Sequence, residues 1–321
     1  MGELRLKVRK TQAPTAQIRT LELVAEAGGS LPGYAAGAHI RVTLPDGSDR
    51  HYSLVNVHAA PGATRSPEAY RLGVRLEEES KGGSRFMHGL KEGDVITASM
   101  PRNDFALADT DAPVLLIAGG IGVTPLISMA AELKAKEHPF DFHYAGRSRP
   151  MLAFVDELTA IDAGKLSIHC DDEPDNSIDL KALIGQAPAN AHIYVCGPRG
   201  MIEAVRETAH ARGFAKDHVH FELFEAPQTE TGDKAFEVEI SSTGQVFTVP
   251  PGKSIIEVLE AEGVDLLYDC QRGDCGICQT TVLEGIPDHR DVILTDDERA
   301  ANNVMQICVS RAKSERLVLD L

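Results

Sequence analysis

The chain has 321 residues, a net charge of −16, 43% hydrophobic and 25% charged residues, which is too long for one ordinary core and predicts two or three globular domains. The acid excess argues against a nucleic-acid partner, which requires a basic footprint, and serves either solubility or an acidic docking face. No run of about 18 apolar residues is present to span a membrane, and the first residues, Met1-Gly-Glu-Leu-Arg-Leu-Lys7, lack an apolar signal core, so cytoplasm is the default expectation.

Residues 1–107 read as a β-rich domain. Alternating runs at Leu4–Val8, Ile18–Val24, His39–Leu44 and Tyr70–Leu76 are separated by Gly28-Gly29, Pro32-Gly33 and Pro45-Asp-Gly47. Short strands at this spacing favour a small barrel over an open sheet. Gly82-Gly83-Ser84 opens a helical stretch and can be either a phosphate cradle or a plain helix cap.

The pattern changes from about residue 112. Val114–Ala118 is a continuous apolar run, as expected of a parallel strand covered on both faces. It ends in Gly119-Gly120-Ile-Gly122-Val-Thr124-Pro125, followed by a helix predicted over Leu126–Lys136. Strand, glycine loop and helix can present amides to a pyrophosphate, although the spacing is not the usual dinucleotide fingerprint and a bare turn gives the same string. Strands at Phe140–Ala145, Leu166–Cys170 and Ala191–Val195 alternate with helices at Met151–Ile161 and Gly200–Arg212, a doubly wound α/β pattern. Cys196-Gly197-Pro198 follows the last of these strands, where ligands bind in such sheets. Cys196 is therefore expected on the ligand rim, the alternative being a small buried hydrophobe.

Residues 227–234 read as a polar linker. Phe236–Ile240 and Gln245–Val249 then form a hairpin, and Ser254-x-x-Glu257 is a capping box opening a helix to about Glu262. The chain closes on Ile307-Cys308-Val309 and Arg316–Leu321.

Between these lies the most specific signal, Cys270-x4-Cys275-x2-Cys278 with a distant Cys308. This is the plant-type spacing for a 2Fe–2S cluster, whose iron takes thiolates as soft, charge-donating ligands. A structural zinc site more often shows two C-x2-C pairs, and a disulfide framework suits small secreted chains. No haem or facial-triad pattern is evident, so dioxygen chemistry is expected on another protein.

Arg50-x-Tyr52-Ser53, Gly119–Pro125 and Cys196-Gly-Pro198, in that order, resemble the ferredoxin–NADP reductase superfamily. The C-terminal ferredoxin segment narrows the resemblance to the phthalate dioxygenase reductase family, which includes vanillate O-demethylase reductases. Pro101-Arg-Asn-Asp-Phe105, His289–Leu294 and the stretch from Cys308 to Ser314 resemble further family segments. The resemblance implies a multidomain fold: an antiparallel β-barrel flavin domain at 1–107, a doubly wound α/β NAD domain at 108–226, and an α+β (β-grasp) ferredoxin domain at 235–321.

Roles follow from the same resemblance. Arg50 would pair with the flavin phosphate, Tyr52 would pack on the isoalloxazine and Ser53 would bond near N5. Gly73, Arg75, Gly83 and Ser84 would complete the flavin site, and Thr124 would touch both flavin and nicotinamide. Gly119, Gly120, Gly122, Gly197 and Pro198 would frame the dinucleotide, with Cys196 beside the nicotinamide and Phe224 covering the flavin. FMN is expected, with FAD the alternative. Arg147 and Arg149 could hold a 2′-phosphate, whereas Asp171-Asp-Glu173 favours the unphosphorylated ribose, so NADH is expected over NADPH. The implied function is the reductase of a two-component system that serves a Rieske-type terminal oxygenase. The alternative is a stand-alone reductase with a small-molecule acceptor, and a monomer is expected.

Overall fold

In the computed structural model, residues 2–78, 80, 82–162, 166–224 and 232–321 are described; residues 227–231 of the expected linker lie outside them. The chain divides into two compact units, Met1–Glu222 and Leu223–Leu321.

The first unit begins with strands β1 (Glu3–Gln12), β2 (Ile18–Ala25), β3 (His39–Thr43), β4 (Asp49–Ser53), β5 (Tyr70–Arg75) and β6 (Val95–Ser99), with a short helix α1 (Gly83–Gly89) after β5. They form an antiparallel sheet in the order β4-β3-β6-β1-β2-β5. The two end strands approach where Val55 N–H, just past β4, donates to Arg71 O at 2.8 Å, which turns the sheet into a barrel. Alternation places Leu6, Val8, Leu21, Leu23, Ile40, Val42 and Leu72 inside. The buried Tyr70 hydroxyl is satisfied by Pro32 O at 2.6 Å.

Five parallel strands follow: β7 (Val114–Gly119), β8 (Phe140–Gly146), β9 (Leu166–Cys170), β10 (His192–Cys196) and β11 (Val219–Glu222), in the order β11-β10-β7-β8-β9. The helices are α2 (Val123–Ala135), α3 (Val155–Asp162), α4 (Leu180–Gln186) and α5 (Arg199–Ala211). Every residue of β7 is buried, as its unbroken apolar run predicts. Helix α2 starts earlier than the expected Leu126, because Pro125 then falls in the first turn, where its missing N–H leaves no acceptor unsatisfied. Helix α3 starts later than the expected Met151: a 3-10 turn at Arg149–Met151 and the left-handed Phe154, φ 63°, precede it. Two histidine pairs bridge neighbouring strands, His143 Nδ1 to His169 Nε2 at 3.0 Å and His192 Nδ1 to His220 Nε2 at 2.9 Å.

The second unit holds β12 (Phe236–Ile240), β13 (Val246–Val249), α6 (Ile255–Ala261), β14 (Gln279–Glu284), β15 (Pro287–Asp288), α7 (Asp296–Ala301), β16 (Val304–Gln306), β17 (Arg311–Ala312) and β18 (Arg316–Leu319). Its main sheet runs β13-β12-β18-β14-β16, with β18 parallel to β12 and antiparallel to β14. Ile255, Ile256 and Leu259 of α6 pack into its core, and both halves of the Ser254/Glu257 capping box form. After β16 the chain turns through Ile307–Val309. Pairing stops at Gln306, and Val309 and Ser310 N–H both return to Gln306 O. Asp233, inside the expected linker, is held by Arg290 at 2.5 and 3.0 Å. Among the described residues no helix is long and apolar enough to cross a membrane.

Candidate functional site

The irregular stretch between α6 and β14 carries Cys270, Cys275 and Cys278. The antiparallel pairing of β14 with β16 sets Gln279 opposite Gln306, which brings Cys308 to the same place. The Cys270 sulfur is within hydrogen-bonding reach of those of Cys275 and Cys308, and the Cys278 sulfur is within reach of Cys308. Those contacts hold the Cys270 thiol well below the usual range, helped by Asp274 and by Arg272 N–H, which donates to Cys270 Sγ at 3.3 Å. All four are free thiols; Cys270, Cys278 and Cys308 are buried and Cys275 is half-buried. Four converging sulfurs with no disulfide among them fit a metal centre that takes thiolate ligands. That donor set suits either a 2Fe–2S cluster or zinc.

The loop depends on one backbone position in particular. Gly273 has φ +82°, and a Cβ there would stand 2.7 Å from Val309 Cγ2 and 3.0 Å from Asp291 Cα. Conformation and space both demand glycine.

In the first unit, the expected flavin residues come together along β4, β5, α1 and the start of α2. A Cβ on Gly83 would lie 2.7 Å from Arg50 Cγ, so the α1 backbone rests on the Arg50 stem. Ser84 Oγ accepts from Glu77 N–H at 3.1 Å, and Glu77 takes both forks of Arg75 at 2.8 and 2.9 Å. Gly73 faces Thr124 Cγ2 and the Phe154 ring, at 2.9 and 3.0 Å from its would-be Cβ. Helix α2 is pinned beside the end of β4 by the buried Ser128, whose Oγ donates to Leu54 O and accepts from Asn56 N–H, both at 2.8 Å. Ser53 is buried, and burial raises the Tyr52 phenol to about 12. A guanidinium, an aromatic face and a buried hydroxyl on one ridge are the groups that a phosphate-bearing isoalloxazine needs.

The two expected nucleotide loops also meet. A Cβ on Gly122 would fall 2.2 Å from Cys196 O, and one on Gly119 2.7 Å from Pro198 Cδ and 3.2 Å from Gly197 Cα. Gly120 has a left-handed φ of 54° between them. Cys196 closes β10 at its carboxyl end, as the topology requires, but it is 1% exposed: the packed glycine loop covers the position expected on an open rim. Beyond β8 and β9, Asp171 and Asp172 N–H donate to Gly146 O and Arg147 O at 3.1 Å each, which sets the arginine and carboxylate loops side by side. Arg147 and Asp171 are exposed, whereas Arg149 is engaged by Glu173 through Nε and, at 3.1 Å, through Nη2. Nearby, Arg149, Phe154 and Ile168 line a cavity of about 230 Å³.

Phe224 is half-buried and falls within the second unit. Sequence reasoning missed Phe154, whose ring sits at Gly73 and under the Arg71 guanidinium at 5.0 Å, and no local motif marks it. It also missed Asp274, although that residue lies inside the cysteine motif.

Comparison with known proteins adds the following. Residues 238–313 match the 2Fe-2S iron-sulfur cluster binding domain, and residues 116–207 match the oxidoreductase NAD-binding domain. A vanillate O-demethylase oxidoreductase of Pseudomonas sp. (strain HR199 / DSM 7063) is 44% identical over 308 residues, 95% of either chain. A tetrachlorobenzoquinone reductase of Sphingobium chlorophenolicum is 42% identical over 95% of this chain and 94% of its own. The solved structure of a phthalate dioxygenase reductase, described as a modular structure for electron transfer from pyridine nucleotides to [2Fe-2S], superposes with a TM-score of 0.76 at 36% identity, covering 100% of this chain and 98% of that one.

Proposed function

The chain belongs to the phthalate dioxygenase reductase family of flavin and iron–sulfur oxidoreductases, and from that premise we propose that it is the reductase component of a two-component oxygenase or O-demethylase, taking electrons from NADH and handing them to a Rieske-type terminal oxygenase. The observation that carries this reading is the convergence of Cys270, Cys275, Cys278 and Cys308 on a chain that also packs its glycine loop against Cys196-Gly-Pro198.

When bound, the flavin and the 2Fe–2S cluster supply the exchange of one hydride for two single electrons. The chain's own residues bind and orient. Arg50, with the amides of Gly83 and Ser84, would hold the flavin phosphate, and the resemblance of this phosphate loop to that of FMN-using family members makes FMN our reading over FAD. Tyr52 would pack on the ring, Ser53 and Thr124 would bond to its polar edge, the Gly73 and Arg75 backbone would complete the site, and Phe224 would shield the ring from water. Gly119, Gly120, Gly122, Gly197 and Pro198 would receive the dinucleotide, with the buried Cys196 supporting the loop that positions the nicotinamide. Arg147 and Asp171 would flank the adenosine ribose. The Glu173 grip on Arg149 removes a cation from a would-be 2′-phosphate and supports NADH. The six cysteines form no disulfide, which suits a reducing cytoplasm, where we infer a monomer with domains at 1–107, 108–226 and 235–321.

The test is Cys275→Ser. Flavin bleaching by NADH should persist while reduction of cytochrome c falls at least a hundredfold; loss of both would refute the serial order. The quinone-reductase relative favours a second reading, direct reduction of a small acceptor. Rapid benzoquinone turnover that survives Cys275→Ser would establish it.

A further inference from the structure

Beneath the cysteine loop lies a buried ionic group centred on Asp291, inside the His289–Leu294 segment, to which the sequence assigns no role. The Asp291 side chain is fully buried, 0% exposed. Its Oδ2 accepts from Ile293 and Leu294 N–H at 3.1 and 2.9 Å and lies 3.7 Å from Arg299 Nη2. Arg299, on α7, also donates through Nη2 to Asp291 O at 2.6 Å. His289 Nδ1 stands 3.8 Å from Asp291 Oδ1.

This group touches the loop directly. Val292 N–H donates to Gly273 O at 3.0 Å, and the would-be Cβ of Gly273 meets Asp291 Cα at 3.0 Å. The would-be Cβ of Gly276 meets Ile293 Cδ1 at 2.9 Å. Gly273 and Gly276 sit between the ligand cysteines, so Asp291 packs directly against the loop that carries them, and Arg299 joins it through Asp291. An apolar floor would support the loop as well and avoid desolvating a carboxylate. Charges in a low-dielectric interior act over such a distance.

We propose that Asp291 and Arg299 are a paired electrostatic control on the cysteine centre: the Asp291 carboxylate lowers its reduction potential, and Arg299 partly offsets that effect. The inference rests on the 2Fe–2S reading of the four cysteines. The centre gains one electron, and thus one negative charge, on reduction. A fixed anion beside it opposes that gain and a fixed cation favours it.

The experiment uses the purified full chain, with iron and labile sulfide quantified, and follows the reduced centre's electron paramagnetic resonance through a redox titration. Asp291→Asn should raise the midpoint potential and Arg299→Gln should lower it. Each shift should be about three- to tenfold in the reduction equilibrium, tenfold being about 59 mV for one electron. Arg299→Lys, which keeps the charge, should stay near the parent value. If Asp291→Asn fails to assemble, the half-exposed Arg299 still supplies the Gln and Lys comparison. Shifts of one common sign, or none, at full iron content would overturn the proposal and leave the reductase reading intact. A parent chain without iron would overturn both.

Discussion

The backbone amide of Leu223 donates to Asp274 Oδ2 at 2.7 Å, so the second unit begins by fastening itself to the interior of its own cysteine loop. The Asp274 side chain is 5% exposed and Arg272 Nε lies 3.6 Å from the same oxygen. Asp274→Ala leaves the Leu223 amide without that acceptor, at a cost of about 1–3 kcal/mol. Thermal unfolding of the second unit should shift downward accordingly. An unchanged midpoint would mean that the contact contributes nothing.

Gly83→Ala tests the flavin phosphate site. The new methyl would come within 2.7 Å of Arg50 Cγ and push the guanidinium stem aside. Flavin affinity, measured by fluorescence titration of the apoprotein, should fall about tenfold, or ~1.4 kcal/mol. Affinity equal to the parent's would remove Arg50 from the phosphate site.

Coenzyme choice is tested at Glu173. Replacing it with alanine releases Arg149, whose Nε and Nη2 it now occupies. We expect kcat/KM for NADPH to rise about tenfold, with a smaller loss for NADH. If the NADPH value does not move, the ribose lies elsewhere.

The histidine pairs make a pH prediction for the first unit. Burial, followed by the neighbouring imidazole, pushes His143 and His220 down to about 4. An unfolded histidine titrates near 6.5, so between about 6.5 and 4 the unfolded chain binds more protons. Stability should therefore be full above about 6.5, fall as the pH drops through that window, and level off below about 4. Each ring contributes at most about one proton to the slope, less because both are only half-buried. Denaturant titrations at several pH values should show His143→Gln flattening the fall. An identical slope would exclude the pair.

Where a signal is local, the sequence is easy to read. Val114–Ala118 announces a doubly covered strand by composition alone, Ser254 and Glu257 announce a helix start by their spacing, and the cysteine spacing announces its ligand. Less is legible where a distant partner decides. Cys308 lies far from the other three cysteines in the chain, and it reaches them only because the pairing of β16 with β14 ends at Gln306 and the following residues turn back to it. The left-handed Phe154 delays α3 because its ring fills the space that Gly73 leaves open. Cys196 is placed correctly along its strand, but its burial depends on Gly122, far away in the chain. The charges under the cysteine loop are invisible until folding sets Asp291 against Gly273.

Strand β18 occupies the middle of the second unit's main sheet, between β12 and β14, although it is synthesised after both. Cys270, Cys275 and Cys278 thus leave the ribosome before the strand that seats their scaffold exists, and Cys308 follows them late. The central strand of the scaffold and the fourth ligand therefore join the fold after the first three cysteines are already made. A premature stop between Cys278 and Arg316 would leave the complete first unit joined to an unfinished, thiol-rich tail.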